Sequence, residues 1–456
     1  MSSNYKELLG RQRDFFYGGK TRDIDFRIEK LKAVRDWCET NEARILAALH
    51  KDLKKHPFEA YLVENMGVTN EIRMVVKNLH KWARPHKVRT PLAFFRSSSK
   101  YYYEPFGTTL ILTAWNYPFL LGVVPAIGAI AAGNCCIIKP SELAPHTSQL
   151  LVEMIRARFQ EEHCTVVEGG AEETTELLKE RFDFIHYTGG SRVGKIVGVA
   201  AANHMTPVVL EMGGKSPCFV DETADLEISA QRICLGKFMN AGQTCVAPDF
   251  IFVHNSVKDG LIEALRRQIR NFYGSDPQQS ADYGRIINER HFDRVSALLE
   301  GVSIVCGGKT DRSDLYIEPT ILDNATWDSL VMKEEIFGPV LPVLGYDDLP
   351  QVISQMKSRE KPLATYIFSK DKAAQDLVMH GLPFGGGGIN TIGFHAANSH
   401  LPFGGVGNSG MGHYHGKWSF ETFSHKKGIL KQELWPNNSF AFPPFKESRM
   451  KWLKRM

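Results

Sequence analysis

Cys245 closes the run Phe238-Met-Asn-Ala-Gly-Gln-Thr-Cys245, whose small and amide-bearing residues let the main chain come close to whatever the sulfur meets. A cysteine attacks carbon only as the thiolate, and with a free pKa of about 8.5 it needs an amide-rich or positive setting to do so near neutrality. Gly242 and Gln243 leave the Cys245 main-chain NH free to face an oxyanion. Read alone, the residue also fits an inert buried thiol, because unpaired cysteines pack as small hydrophobes; its companions in the sequence decide. Glu211 ends the apolar run from Thr206, beside Gly213 and Gly214. A carboxylate stranded there either serves as a general base, its neutral form favoured by burial, or pairs with Lys215. A third feature is Gly189-Gly190-Ser191-Arg192-Val193-Gly194-Lys195, which follows the apolar run Phe182–Thr188 and precedes a small-residue helix from Ile196. Such a turn lets backbone amides and a helix N-terminus meet phosphate oxygens. It fits G-x-x-x-x-G-K, but Ile196 stands where a P-loop needs a hydroxyl for magnesium, and the G-x-G-x-x-G spacing is also missed. A purely structural tight turn remains open.

The elements that must position these residues read as alternating strands and helices. Gly107–Trp115 is a continuous apolar strand of the kind buried on both faces of a parallel sheet, and Asn116-Tyr-Pro-Phe turns it into a helix ending near Gly133. Cys135–Lys139 is the next strand, then Pro140-Ser-Glu-Leu and a helix through Arg156, a β-turn-α repeat that a doubly wound sheet requires. Before it, residues 24–53 and 61–82 carry helical apolar spacing, broken by the two prolines of residues 83–91. Residues 94–104 read as a protruding strand available for subunit pairing. After Cys245 come a strand at 249–254, an amphipathic helix at 257–273, and apolar strands within 316–322 and 334–345. Gly385–Asn390 is too glycine-rich for helix or strand, and Leu401–Gly412 is a loop that passes close to ligand or backbone.

Composition bounds the function. A formal charge of +4 over 456 residues is weak, the basic residues are dispersed, and no nucleic-acid-binding signature occurs, so nucleic acid is set aside. Eight cysteines without a CxxC argue against a zinc site or a disulfide framework and for a reducing, cytoplasmic setting; no metal is expected. Residues 1–20 lack the apolar core of a secretory signal. Tyr117–Ile138, about 20 uncharged residues, imitates a membrane span in length. Pro118, Pro125, its glycines and Asn134 interrupt it, and two buried strands flanking a short helix fit better. The basic, apolar-interleaved end from Phe442 reads either as a solvated tail or as a weak peripheral contact with a membrane surface.

Taken in order, Trp115-Asn-Tyr-Pro118, Lys139-Pro-Ser-Glu142, the Thr188–Lys195 turn, Glu211-Met-Gly-Gly-Lys215, Gly242-Gln-Thr-Cys245, Glu334-Glu-Ile-Phe-Gly-Pro339 and Pro402-Phe-Gly-Gly405 resemble the aldehyde dehydrogenase family over nearly the whole chain. The stretch Gly404–Ser424 is similar to its class 3 branch, which acts on fatty and aromatic aldehydes. The resemblance implies Cys245 as nucleophile, Asn116 and the Cys245 amide as oxyanion donors, and Glu211 as general base. It implies cofactor contacts at Trp115, Lys139, Glu142, Gly189, Gly190, Ser191, Arg192, Val193, Gly194, Glu335 and Phe337. Glu335 would bond the nicotinamide ribose, with Phe337 near the ring, and Lys139 and Glu142 the adenosine ribose. A carboxylate at 142 favours NAD, with NADP possible. Gly190 and Arg192 depart from the commonest family pattern of Ser and Glu there, which leaves phosphate placement less defined and adds a positive charge.

The expectation is an α/β protein with a doubly wound, Rossmann-like NAD(P)-binding domain at 1–85 and 105–213 and an α/β catalytic domain at 214–412. A small β oligomerisation arm at 86–104 and 413–432, with its strand at 421–430, and a tail at 433–456 complete it. The expected activity is oxidation of a small hydrophobic aldehyde by a homodimer. Tyr117, Met239 and Phe394 are expected near the substrate tunnel, with His395 and His413 at its entrance. Two rivals stand beside it: a thioester or ester hydrolase using Cys245 and Glu211 without NAD, and a non-catalytic binding protein on the same fold.

Overall fold

The computed structural model describes residues 5–435 and 442–454, so Met1–Asn4 and, in the expected tail, 436–441 and 455–456 lie outside the described residues. Two large sheets carry the chain. The first has six strands in the order Gly410–Met411, Val208–Glu211, Phe184–Thr188, Thr108–Leu112, Cys135–Lys139, Cys164–Val166, all parallel except the first. Thr108–Leu112 and Cys135–Lys139 are buried at every position, as strands covered on both faces must be. The strand order reverses between Thr108–Leu112 and Phe184–Thr188, and a crevice outside the carboxyl ends of the strands at such a switch point is where open α/β sheets bind ligands.

Four long helices, Tyr5–Tyr17, Ile24–Thr40, Glu42–Leu53 and Met66–Ala83, and the short Pro57–Ala60 precede this sheet. The membrane-like stretch becomes a helix, Pro118–Ala132, between the two strands. Pro118 occupies its first turn, where a missing NH costs nothing, and Gly133 ends it at φ 98°, a conformation that glycine adopts readily. Nearly every residue of this helix is buried, so its all-round apolarity serves the protein core. Among the described residues no helix is long and apolar enough to cross a membrane.

The second sheet has seven strands in the order Ser303–Cys306, Thr320–Asp323, Val340–Tyr346, Phe250–His254, Pro217–Val220, Ala364–Phe368, Gly386–Ile389. The last corrects the sequence reading, since Gly386–Ile389 pairs in parallel with Ala364–Ile367. A Cβ at Gly387 would sit 2.0 Å from the Thr365 carbonyl; the neighbouring backbone makes this strand, not its own side chains. A separate three-stranded arm, His86–Val88, Ser97–Pro105 and Ser424–Gln432, is held by nine antiparallel pairs between its last two strands. Glu421, expected to begin the arm strand, instead lies in the helix Gly416–Thr422.

Candidate active site

The loop from Asn240 to Cys245 is bent by three consecutive residues with positive φ, Asn240 (52°), Ala241 (50°) and Gly242 (75°). A non-glycine residue there costs about 1–3 kcal/mol and persists only where its surroundings impose it. The surroundings are explicit. Asn240 Nδ2 donates to the Asn116 carbonyl at 2.8 Å and to the Gln243 carbonyl at 3.2 Å. Gln243 Nε2 donates to the carbonyls of Asn240 and Arg285, both at 2.9 Å, while its Oε1 accepts from the Ile287 NH at 3.0 Å. Gly242 presses on the other side, where a Cβ would fall 2.3 Å from the Gly338 carbonyl. Asn116 Nδ2 donates to the Gln243 carbonyl at 3.1 Å, which spends one of its two amide hydrogens. Beneath, Lys55 Nζ donates to the Asn116 carbonyl at 2.8 Å and pairs with Glu64 at 2.6 Å, both side chains fully buried. The Tyr117 hydroxyl bonds Thr244 Oγ1 at 2.6 Å, tying the residue after Asn116 to the residue before Cys245.

Cys245 is half-buried. Burial, then the charges of Glu335 and Glu211, push its thiol up to about 12, while its own amide and that of Val246 pull the other way. Burial thus favours the thiol, and the two amides are the local groups that favour its anion.

Glu211 is buried, and neither of its oxygens has a hydrogen-bond partner among the described residues. Desolvation alone raises its pKa well above the usual carboxylate range. Lys215, the alternative partner, bonds Asp249 instead and also the carbonyls of Val331 and Glu334 at 3.0 Å. The ion-pair reading of Glu211 therefore fails.

Cys245, Glu211 and Asn116 line one cavity of about 830 Å³ together with Trp115, Gly189, Gly190, Ser191, Arg192, Glu335 and Phe337. The cavity opens at the switch point of the first sheet, where the helix Ser191–Asn203 begins. That helix starts earlier than the expected Ile196, so Arg192, Val193 and Gly194 belong to its first turn. Its start on the cavity wall is the kind of helix N-terminus that can receive an anion. Gly194 is the point where the helix lies closest to Met212, whose Sδ a Cβ would meet at 2.4 Å; neither it nor Val193 is on the cavity wall. Lys139 and Glu142 also lie off that wall, 3.8 Å apart at the carboxyl end of a neighbouring strand. Glu335 approaches Gly213 so closely that a Cβ there would sit 2.1 Å from its oxygen. Burial, then the charge of Asp249, raise Glu335 to about 8. Phe337, at φ 46°, stands edge-on to Trp115 at 5.3 Å.

The sequence reading passed over Leu121, Met212, Arg294, Leu363, Phe403 and Tyr414, all on the cavity wall. Of these, Phe403 stands inside the quoted Pro402-Phe-Gly-Gly405, and its position after the strand-breaking Pro402 was the available signal. Tyr117, Met239, Phe394, His395 and His413 are not on this wall, and Phe394 is exposed to solvent. Thr188 Oγ1 is buried without a partner at the mouth of the glycine turn. Among the described residues no cluster suited to a metal ion occurs.

A family model described as "Aldehyde dehydrogenase family" matches residues 13–429. The chain is 49% identical over 443 residues to 4,4'-diaponeurosporen-aldehyde dehydrogenase of Staphylococcus aureus, covering 96% of each. It is 46% identical to the dimeric NADP-preferring aldehyde dehydrogenase of Rattus norvegicus, covering 95% of each. A solved structure titled as the substrate-bound state of Staphylococcus aureus AldH superposes with a TM-score of 0.97 at 46% identity, over 99% of each chain.

Proposed function

Because the chain belongs to the aldehyde dehydrogenase family, an oxidoreductase family acting on aldehydes, we propose that it oxidises apolar aldehydes, medium- or long-chain aliphatic or aromatic, to carboxylic acids. NAD is the preferred cofactor and NADP is also accepted. The observation that carries this is the meeting of Cys245, Asn116 and Glu211 in one cavity with the glycine turn and Glu335. The residues suit a dinucleotide: a helix N-terminus and Arg192 for phosphate, an unpartnered Thr188 hydroxyl, and Glu335 for ribose. Lys139 and Glu142 would hold the adenosine ribose, and the half-exposed Glu142 side chain would have room to move aside for a 2′-phosphate.

Cys245 Sγ bonds the aldehyde carbon, its proton leaving to solvent. The resulting alkoxide is held by the remaining Asn116 amide hydrogen and the Cys245 NH, each such donor worth about 10²–10³ in rate. A bound oxidised nicotinamide supplies the hydride acceptor. Loss of hydride from the carbon restores C=O as a Cys245 thioester. Glu211 then takes a proton from water as its oxygen adds to the thioester carbon; the C–S bond breaks, Cys245 returns as thiolate and the acid leaves. Leu121, Met212, Leu363 and Phe403 on the wall favour an apolar substrate, and one relative is named for 4,4'-diaponeurosporen-aldehyde.

The division into an NAD(P)-binding domain at 1–85 and 105–213, a catalytic domain at 214–412 and an arm at 86–104 and 413–432 is supported by the two large sheets and the arm sheet, although Gly410–Met411 crosses into the first. The arm's outer strand, Ser424–Gln432, has one edge unpaired among the described residues, the setting for a two-fold homodimer. Eight unpaired cysteines without a CxxC support a reducing, cytoplasmic setting. Exposed Phe442, Phe445, Met450 and Trp452 among the basic residues of the same segment suit weak peripheral membrane contact.

The test is formation of NAD(P)H from a panel of aliphatic and aromatic aldehydes by wild type and Cys245→Ala. The variant is expected to lose turnover at unchanged cofactor binding. Equal rates remove the nucleophile assignment, and wild-type turnover of thioesters without added cofactor favours the hydrolase.

A further inference from the structure

The general-base reading of Glu211 leaves a physical gap. A carboxyl that is buried, unpartnered and held protonated by desolvation does not take a proton from water near neutral pH. Among the described residues no basic side chain acts on Glu211: Arg192, Arg294, Lys333, Arg359 and Lys361 share the cavity wall, yet desolvation is the one cause of its shift, and Lys215 is committed to Asp249. Something else in the cavity has to favour its ionised form.

The group placed to do this is Tyr414. It is buried and lines the cavity with Glu211, Cys245 and Asn116. Its hydroxyl makes no hydrogen bond among the described residues, whereas its ring and backbone are fixed from several sides. The Tyr414 NH donates to the Phe403 carbonyl at 2.8 Å and its carbonyl accepts from the Phe403 NH at 3.2 Å. The ring packs on His415 at 4.3 Å and edge-on to His186 at 5.0 Å. The next residue, His415, sits at φ 81°, ψ 133°, a conformation that costs a non-glycine residue about 1–3 kcal/mol. The same loop lies against Glu211: Gly410 pairs with Glu211 across the sheet edge, and a Cβ at Gly404 would be 3.1 Å from Glu211 Oε1. Burial, then the charges of Glu211 and Cys245, keep the phenol protonated, so it has a proton to donate at working pH.

We propose that Tyr414 is a positioning residue for Glu211: its hydroxyl donates to the Glu211 carboxylate when that side chain turns toward Cys245, holding it ionised and aimed at the water that releases the acid. This rests on Glu211 being the base of thioester hydrolysis. A hydrogen bond to the charged form lowers a carboxyl's pKa, so losing it moves the acid limb of turnover upward.

Tyr414→Phe keeps the ring and its packing. Turnover and the initial burst of reduced cofactor are measured with NAD and benzaldehyde from about pH 6 to about pH 9, where such limbs report essential bases. The burst is expected to persist while the acid limb rises by about one pH unit, a tenfold loss on the limb that disappears above it. Glu211→Gln is expected to keep the burst and lose turnover at every pH. Wild-type turnover by Glu211→Gln removes the base reading itself. With Glu211→Gln as expected, an unmoved limb in Tyr414→Phe, or a loss equal at all pH values, overturns the role of Tyr414. If the phenylalanine variant does not fold, 3-fluorotyrosine at 414, a stronger donor of nearly the same shape, is expected to move the limb to lower pH; an unmoved limb there overturns it equally.

Discussion

Replacing Gly213 with alanine disturbs the seat of Glu335 without altering its carboxylate. Gly213 does not have a left-handed φ, so the backbone accepts a side chain. The obstacle is Glu335: an alanine Cβ would lie 2.1 and 2.3 Å from its two oxygens, where real Cβ contacts essentially never fall under 3.0 Å. The carboxyl has to retreat by about 1 Å, a displacement that costs a positioned group up to about 10²-fold. It also leaves the Gly214 NH, whose hydrogen bond favours the ionised form. A hydrogen bond to a charged group is worth about 1.5–3 kcal/mol, or about 10- to 150-fold in a dissociation constant. Gly213→Ala is therefore expected to raise the Kd for NAD by one to two orders of magnitude, read as quenching of intrinsic fluorescence, with Trp115 in the same cavity. The pH dependence sharpens the test. Glu335 is raised to about 8 by burial and by Asp249, and a carboxylate accepts ribose hydroxyls best when ionised. Wild-type affinity is expected to tighten as pH rises toward about 8 and level off above it, and this trend should flatten in Glu335→Gln. An unchanged Kd in Gly213→Ala, with the wild-type pH trend intact in Glu335→Gln, refutes the placing of Glu335 at the ribose.

Lys55→Met leaves Glu64 buried with only the NH groups of Phe119 and Leu120; removing one partner of a buried ion pair costs about 3–5 kcal/mol. The urea midpoint should fall accordingly, kcat should drop in the folded fraction because the Asn116 carbonyl loses a donor, and Lys55→Met with Glu64→Leu should recover part of the stability. In the arm, Ile429→Lys with Leu430→Lys places charge on two exposed apolar residues of the outer strand. Sedimentation equilibrium is expected to show a monomer, and an undiminished dimer would reject the arm as the dimer contact.

What the sequence disclosed follows a physical line. Residues that break a local rule were visible: Glu211 closes an apolar strand, Gly189 and Gly190 separate a strand from a helix, and Cys245 follows a run of small and amide-bearing residues. Such violations are expected at sites where chemistry overrides local preference. Both fully buried strands of the first sheet were visible too, since a strand covered on two faces has no polar positions. The residues that support the site obey their local rules and so give no signal. Lys55 reads as an ordinary helix-end lysine until the fold brings it to Asn116, and Asn240 as a loop residue until it meets the same carbonyl. Gly386–Ile389 became a strand only because Ala364–Ile367 offers it a ladder. Tyr414 belongs with these. It stands in the Gly404–Ser424 stretch beside His413, but its own type gives it no role there, and its value comes from Gly410 pairing with Glu211, residues far apart in the chain. In a fold of this kind the bond-making atoms are written locally, while the atoms that set their charge are written in the register between strands.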